Sequence, residues 1–122
     1  SEVEETVENV TKFKEENLQA VYQGMYLVTN GSHGTLRTAF NDLPVKVAAK
    51  TGTAEEDKNR SSQTWFVCFA PFDDPQIAIT VMIPFGEGSG TPAPAVAKAI
   101  IREYLGLDYT PTNTTMQTVL AE

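Results

Sequence analysis

Two short runs, Thr64-Trp65-Phe66-Val67-Cys68-Phe69-Ala70 and Ile77-Ala78-Ile79-Thr80-Val81-Met82-Ile83, limit the folds open to this chain more than any other feature. Both are rich in β-branched and aromatic residues, a composition that suits a pleated surface. Between them lie Pro71 and Pro75 with Asp73-Asp74 at the tip. That is turn chemistry, and so short a connection can join only antiparallel neighbours, because a parallel return needs a dozen or more residues. Neither run alternates cleanly between apolar and polar positions, so each side of this sheet needs a cover.

Two helical patterns flank the strands in sequence. Leu18, Val21, Tyr22, Met25 and Val28 fall at i, i+3, i+4, i+7 and i+10, one stripe of an amphipathic helix. Glu15 and Glu16 sit where carboxylates favour the positive end of the helix dipole. Asn30-Gly31 is expected to stop the helix with a left-handed residue. Gly24 interrupts the stripe at a cost of about 1 kcal/mol, which predicts close packing against a neighbour. A second stripe, Val96, Ala97, Ile100, Ile101, Tyr104 and Leu105, opposes Lys98, Arg102 and Glu103 and ends at Gly106. Its start falls near Pro92 and Pro94, within two or three residues.

Residues 31–44 read as a connection with a short helical turn around Leu36 to Phe40. Val45-Lys46-Val47-Ala48-Ala49 reads as a further strand. The expected fold is α+β: helix, three antiparallel strands, helix, as one layer of helices packed on the sheet. Residues 1–13 read as extended or irregular, Ala54 to Ser62 as a mobile polar loop, and Gly86 to Gly90 as a hinge. Residues 1–108 would form the domain portion and 109–122 a loose polar tail.

At 122 residues there is room for one small domain. A formal charge of −7 weighs against a nucleic-acid partner, which calls for a basic face. Cys68 is the one cysteine, so no internal disulfide forms, and in an apolar run it reads as a small buried hydrophobe. No stretch approaches the roughly 20 apolar residues of a membrane span, and the acidic first residues are unlike a signal peptide. No carboxylate–histidine spacing suits zinc and no loop suits calcium, so neither metal nor cofactor is expected. His33, between Ser32 and Gly34, reads as a turn residue, and Trp65, Phe66, Phe69 and Phe72 read as core.

The chemistry concentrates in Lys50-Thr51-Gly52-Thr53-Ala54-Glu55, at the end of the Val45–Ala49 run. Thr51 and Thr53 share one face of an extended segment and Lys50 the other. Gly52 bares the backbone where a ligand would lie flat. Lysine, two hydroxyls and a bare edge together suit one anionic group, such as a carboxylate.

Lysine-threonine-glycine is a signature of penicillin-binding proteins and class A β-lactamases. Gly24-Met25 with Val28, Gly34-Thr35, Lys50 to Glu55 and Trp65-Phe66 to Pro71 together resemble the C-terminal half of a class B penicillin-binding protein, over roughly residues 15–106. Ala49 and Cys68 depart from it, standing where the family often has glycine. The resemblance implies a partial β-lactamase/transpeptidase-like fold and a membrane-anchored D,D-transpeptidase on the extracytoplasmic face of a bacterial cell membrane. Such an enzyme cross-links peptidoglycan stem peptides through an acyl-serine and is acylated by β-lactam antibiotics. By the same resemblance, Lys50, Thr51 and Thr53 would bind the terminal carboxylate. Gly52 would keep the edge open, and the Thr53 N–H would be an oxyanion-hole donor. Lys50 and Thr53 are thus the expected catalytic contributors.

The family also needs Ser-x-x-Lys and Ser-x-Asn, and neither string occurs here. The chain alone is therefore expected to be inactive, with the remaining half of the transpeptidase domain as its partner. Self-association through uncovered apolar surface is a further expectation. The alternative is a non-catalytic binding or scaffold module that retains the sheet.

Overall fold

The computed structural model describes residues 10–54, 62–84 and 92–107. The expectations for residues 1–9, for most of the loop after Ala54, for Gly86 to Gly90 and for the tail lie outside these residues. The elements run α1 (Glu15–Asn30), β1 (Ala48–Ala54), β2 (Gln63–Ala70), β3 (Ile77–Ile83) and α2 (Ala93–Tyr104). The sheet order is β1-β2-β3, both pairs antiparallel, so β1 and β3 are its edges among the described residues. The fold is α+β, as the sequence indicates.

Alternation along β2 divides the sheet into two faces. Phe66, Cys68 and Ala70 point into the core together with Val47, Ala49 and Ile79. Ala93, Ala97 and Ile101 of α2 close that core, with Phe40 and Leu43 filling its flank. On the opposite face Phe69 meets Tyr22 of α1 edge-on at 5.7 Å, and Tyr26 packs on Phe72 at 4.7 Å. The helices therefore lie on opposite faces. Three layers replace the expected two, because β2 is apolar on both sides and each side recruits a helix.

β1 starts at Ala48, three residues later than expected, and runs on through the lysine motif to Ala54. Residues 34–43 form a connection of successive tight turns, with bonds such as Arg37 N–H to Gly34 O and Ala39 N–H to Leu36 O. α2 ends at Gly106 in the left-handed region (φ 62°). Leu107 N–H there donates to Arg102 O and Gly106 N–H to Glu103 O, closing the Schellman arrangement. Lys98 and Arg102 of α2 both hold Asp42, at 3.1 and 2.7 Å. The hydrogen bond from Lys98 is the first cause of an Asp42 carboxyl held below its ordinary range. Solvent screens these exposed pairs, so they steer the 34–43 segment more than they stabilise it.

α1 stops differently from the expectation. Gly31 is extended (φ −75°, ψ 149°), and its N–H donates to Leu27 O. The reason for glycine is close approach: a Cβ on Gly31 would lie 2.6 Å from Leu27 O, and one on Gly34 would lie 2.4 Å from both Leu27 O and Val28 O. Gly24, by contrast, has nothing within 4 Å of its would-be Cβ, so the expected close neighbour is not among the described residues. Gly34 and Gly24 give a paired test. Gly34→Ala should cost about 1–3 kcal/mol through overpacking against fixed carbonyls. Gly24→Ala should stabilise this chain by about 0.5–1 kcal/mol through helix propensity. Urea midpoints measure both, and two losses of equal size would refute the open surroundings of Gly24.

Candidate active site

β1 carries the candidate residues on a strand anchored at one end. Ala48 and Ala49 are fully buried, whereas Lys50 to Ala54 are all exposed. Register sets Lys50 opposite Val67, Thr51 opposite Phe66, Gly52 opposite Trp65 and Thr53 opposite Thr64. Lys50 and Gly52 thus share the α1 side of the sheet, and the two threonines share the α2 side. Lys50 Nζ bends to its own strand and donates to Thr51 O at 2.5 Å.

The backbone edge is as relevant as the side chains. Lys46 O accepts from Phe72 N–H, on the side toward β2. Alternation then turns Val47, Ala49, Thr51 and Thr53 outward. Two of those outward carbonyls already have donors: Val47 O takes Thr29 and Asn30, and Thr51 O takes Lys50. The same alternation puts the Thr53 N–H on this outward edge. Such an edge can pair with an extended ligand as an added strand.

Gly52 is not demanded by the fold. A Cβ there would meet only Trp65 Cβ, at 3.7 Å, an ordinary contact. Trp65, expected in the core, is 40% exposed, because its cross-strand partner has no side chain to cover the indole. Ala49 and Cys68, the two departures from the family pattern, are cross-strand partners, so one buried spot holds both extra side chains. Burial pushes the Cys68 thiol up to about 12, which keeps it protonated and unreactive. His33 lies exposed in the turn after α1.

Other features do not compete with this strand. A hollow of about 410 Å³ is lined by Lys98, Arg102, Glu103 and neighbours on α2, but its two cations are already paired with Asp42. Among the described residues no helix is long and apolar enough to cross a membrane.

An antiparallel sheet with lysine-threonine-glycine on its open edge places the chain among penicillin-recognising proteins. Within that class it belongs to the penicillin binding protein transpeptidase domain family, which matches residues 2–102. It is 33% identical over 101 residues to the peptidoglycan D,D-transpeptidase MrdA of Haemophilus influenzae, covering 71% of this chain and 16% of that protein. The structure of Pseudomonas aeruginosa PBP2 in complex with WCK 5153 superposes with a TM-score of 0.68 at 33% identity, over 81% of this chain and 21% of that one. Penicillin-binding protein 2B of Streptococcus pneumoniae gives a TM-score of 0.69 at 30% identity, over 86% of this chain and 18% of that one. The chain thus spans about one sixth of the length of the curated relative.

Proposed function

We propose that this chain supplies the substrate-binding edge strand of a serine-type peptidoglycan D,D-transpeptidase and is inactive by itself. The observation that carries the reading is the exposed Lys50-Thr51-Gly52-Thr53 run on the open edge of β1. A stem peptide, or a β-lactam in its place, lies along that edge with its carboxylate toward Lys50 and the two threonine hydroxyls. The ammonium leaves a neutral carbonyl, Thr51 O, for an ionised acceptor, which adds the attraction of opposite charges to a hydrogen bond from the same donor. The Thr53 N–H supports the oxyanion as the serine attacks the carbonyl. Gly52 leaves the ligand backbone room.

The serine and its base come from a Ser-x-x-Lys outside these 122 residues. The rest of the transpeptidase domain is accordingly the partner, at the extracytoplasmic face of the membrane. Apolar side chains left open on α1 and α2, such as Val21, Leu27, Val96, Ile100 and Tyr104, support the need for a covering partner or self-association.

Labelled penicillin followed by a denaturing gel tests the assignment. The chain alone should stay unlabelled, and mixing it with the remainder of the domain should produce a labelled serine on that remainder. Covalent label on this chain alone would overturn the inactivity. Association without labelling would favour a scaffold module.

A further inference from the structure

We propose that Thr29 and Asn30, at the C-terminus of α1, are positioning residues for the lysine strand, acting through the carbonyl of Val47. This rests on the transpeptidase reading and adds residues outside the Lys50 motif. Both side chains reach the same atom. Thr29 Oγ1 donates to Val47 O, and Asn30 Nδ2 donates to it at 3.0 Å. Asn30 Nδ2 also lies 2.9 Å from Thr29 Oγ1 and 3.0 Å from Tyr26 O, so its two protons are shared among three acceptors and the pair is braced on its own helix. The threonine hydroxyl has one proton and two acceptors in range, Tyr26 O at 3.2 Å and the nearer Val47 O. The proton goes to Val47, and the bond received from Asn30 strengthens it by polarisation.

The site is buried: Thr29 is 3% exposed and Val47 1% exposed. Thr29 is also the one buried polar residue among those described, and helix propensity gives no reason for it. Its place in the ladder does. Val47 is the first outward-facing carbonyl of the extended segment, three residues and about 10 Å before Lys50. Holding it fixes where β1 begins relative to α1. It also closes the first rung of the open edge, so an added strand registers on Ala49, Thr51 and Thr53. The turn that follows α1 keeps the latch in place: Leu36 N–H donates to Val28 O at 3.0 Å, and Gly34 permits that approach.

The test uses the complete transpeptidase that carries this segment, acylated by a fluorescent penicillin in a stopped-flow instrument. Thr29→Val keeps the shape and removes the proton, while Thr29→Ser keeps the proton. Thr29→Val should lower the first-order acylation constant by about tenfold or more, since small displacements of reacting groups cost up to about a hundredfold. Thr29→Ser should restore it. A merely structural role would reduce only the amount of competent enzyme and leave the rate constant of the surviving fraction unchanged, which would overturn the proposal. Amide exchange in the same proteins gives a reading independent of chemistry. Lys50 and Gly52 amides should exchange at least about fivefold faster in Thr29→Val than in Thr29→Ser. Equal exchange would likewise overturn the proposal. If the unsubstituted protein is not acylated, the transpeptidase reading falls, and the exchange result alone decides the latch.

Discussion

Replacing Lys50 by alanine in the complete transpeptidase should lower its rate of penicillin acylation by about 10²–10³, the scale seen when one preorganised electrostatic partner is removed from an acyl-transfer site. The side chain is exposed at the edge of the sheet and its present bond is to Thr51 O, a neutral acceptor on its own strand. It therefore has little part in the fold, and the thermal midpoint should be unchanged. On the proposed function its value lies in the ligand complex, where the ammonium would meet a carboxylate and favour the charge that develops nearby. Lys50→Arg should recover only part of the loss, because a planar guanidinium has a different reach and geometry from a point-like ammonium. Stopped-flow acylation with a chromogenic cephalosporin measures both variants. A fall of less than about fivefold for Lys50→Ala, with stability intact, would remove Lys50 from the site and leave the strand a structural edge.

Much of the fold is legible from local pattern because the pattern has local causes. β3 falls where the β-branched run places it, at Ile77–Ile83, and β2 gains only Gln63. α1 starts at Glu15, where two carboxylates open its first turn. The misreadings share another cause: they depend on what stands across space. Gly31 needs no left-handed turn because the following residues fold back onto Leu27 and Val28. The placement of α1 and α2 on opposite faces follows from which side of β2 each aromatic points to, and spacing alone does not assign helices to faces. Trp65 is open because the residue opposite is Gly52, a fact of register. The candidate residues themselves were legible, since four adjacent positions carry the motif. Thr29 and Asn30 were not, since the carbonyl they hold lies 17 or 18 residues away in sequence.

Phe66→Ala should be the most destabilising single change in this chain, at about 3–5 kcal/mol, because a buried ring is lost and the cavity it leaves is only partly refilled. Phe66 is 1% exposed and stacks on Phe40 with centroids 6.2 Å apart and rings 16° from parallel. It shares the core with Val47, Cys68 and Ile101, so α2, β2 and the segment leading into β1 all rest on it. Ordinary domains have only about 5–15 kcal/mol of stability in total, so a small chain with a modest core should be largely unfolded by this change. Its neighbour Trp65 supplies the control. Trp65 is the larger side chain, yet it is 40% exposed on the other face and opposite a glycine. Truncation there leaves no closed cavity, and the cost should be about 1 kcal/mol. Urea unfolding followed by circular dichroism compares the two without relying on the tryptophan signal. Equal losses would mean that Trp65 is enclosed as fully as Phe66, and the division of β2 into a covered and an open face would fail. The predicted inequality ties stability to function: the face that resists change holds β1 in place, and the open face beside Gly52 lies next to Lys50.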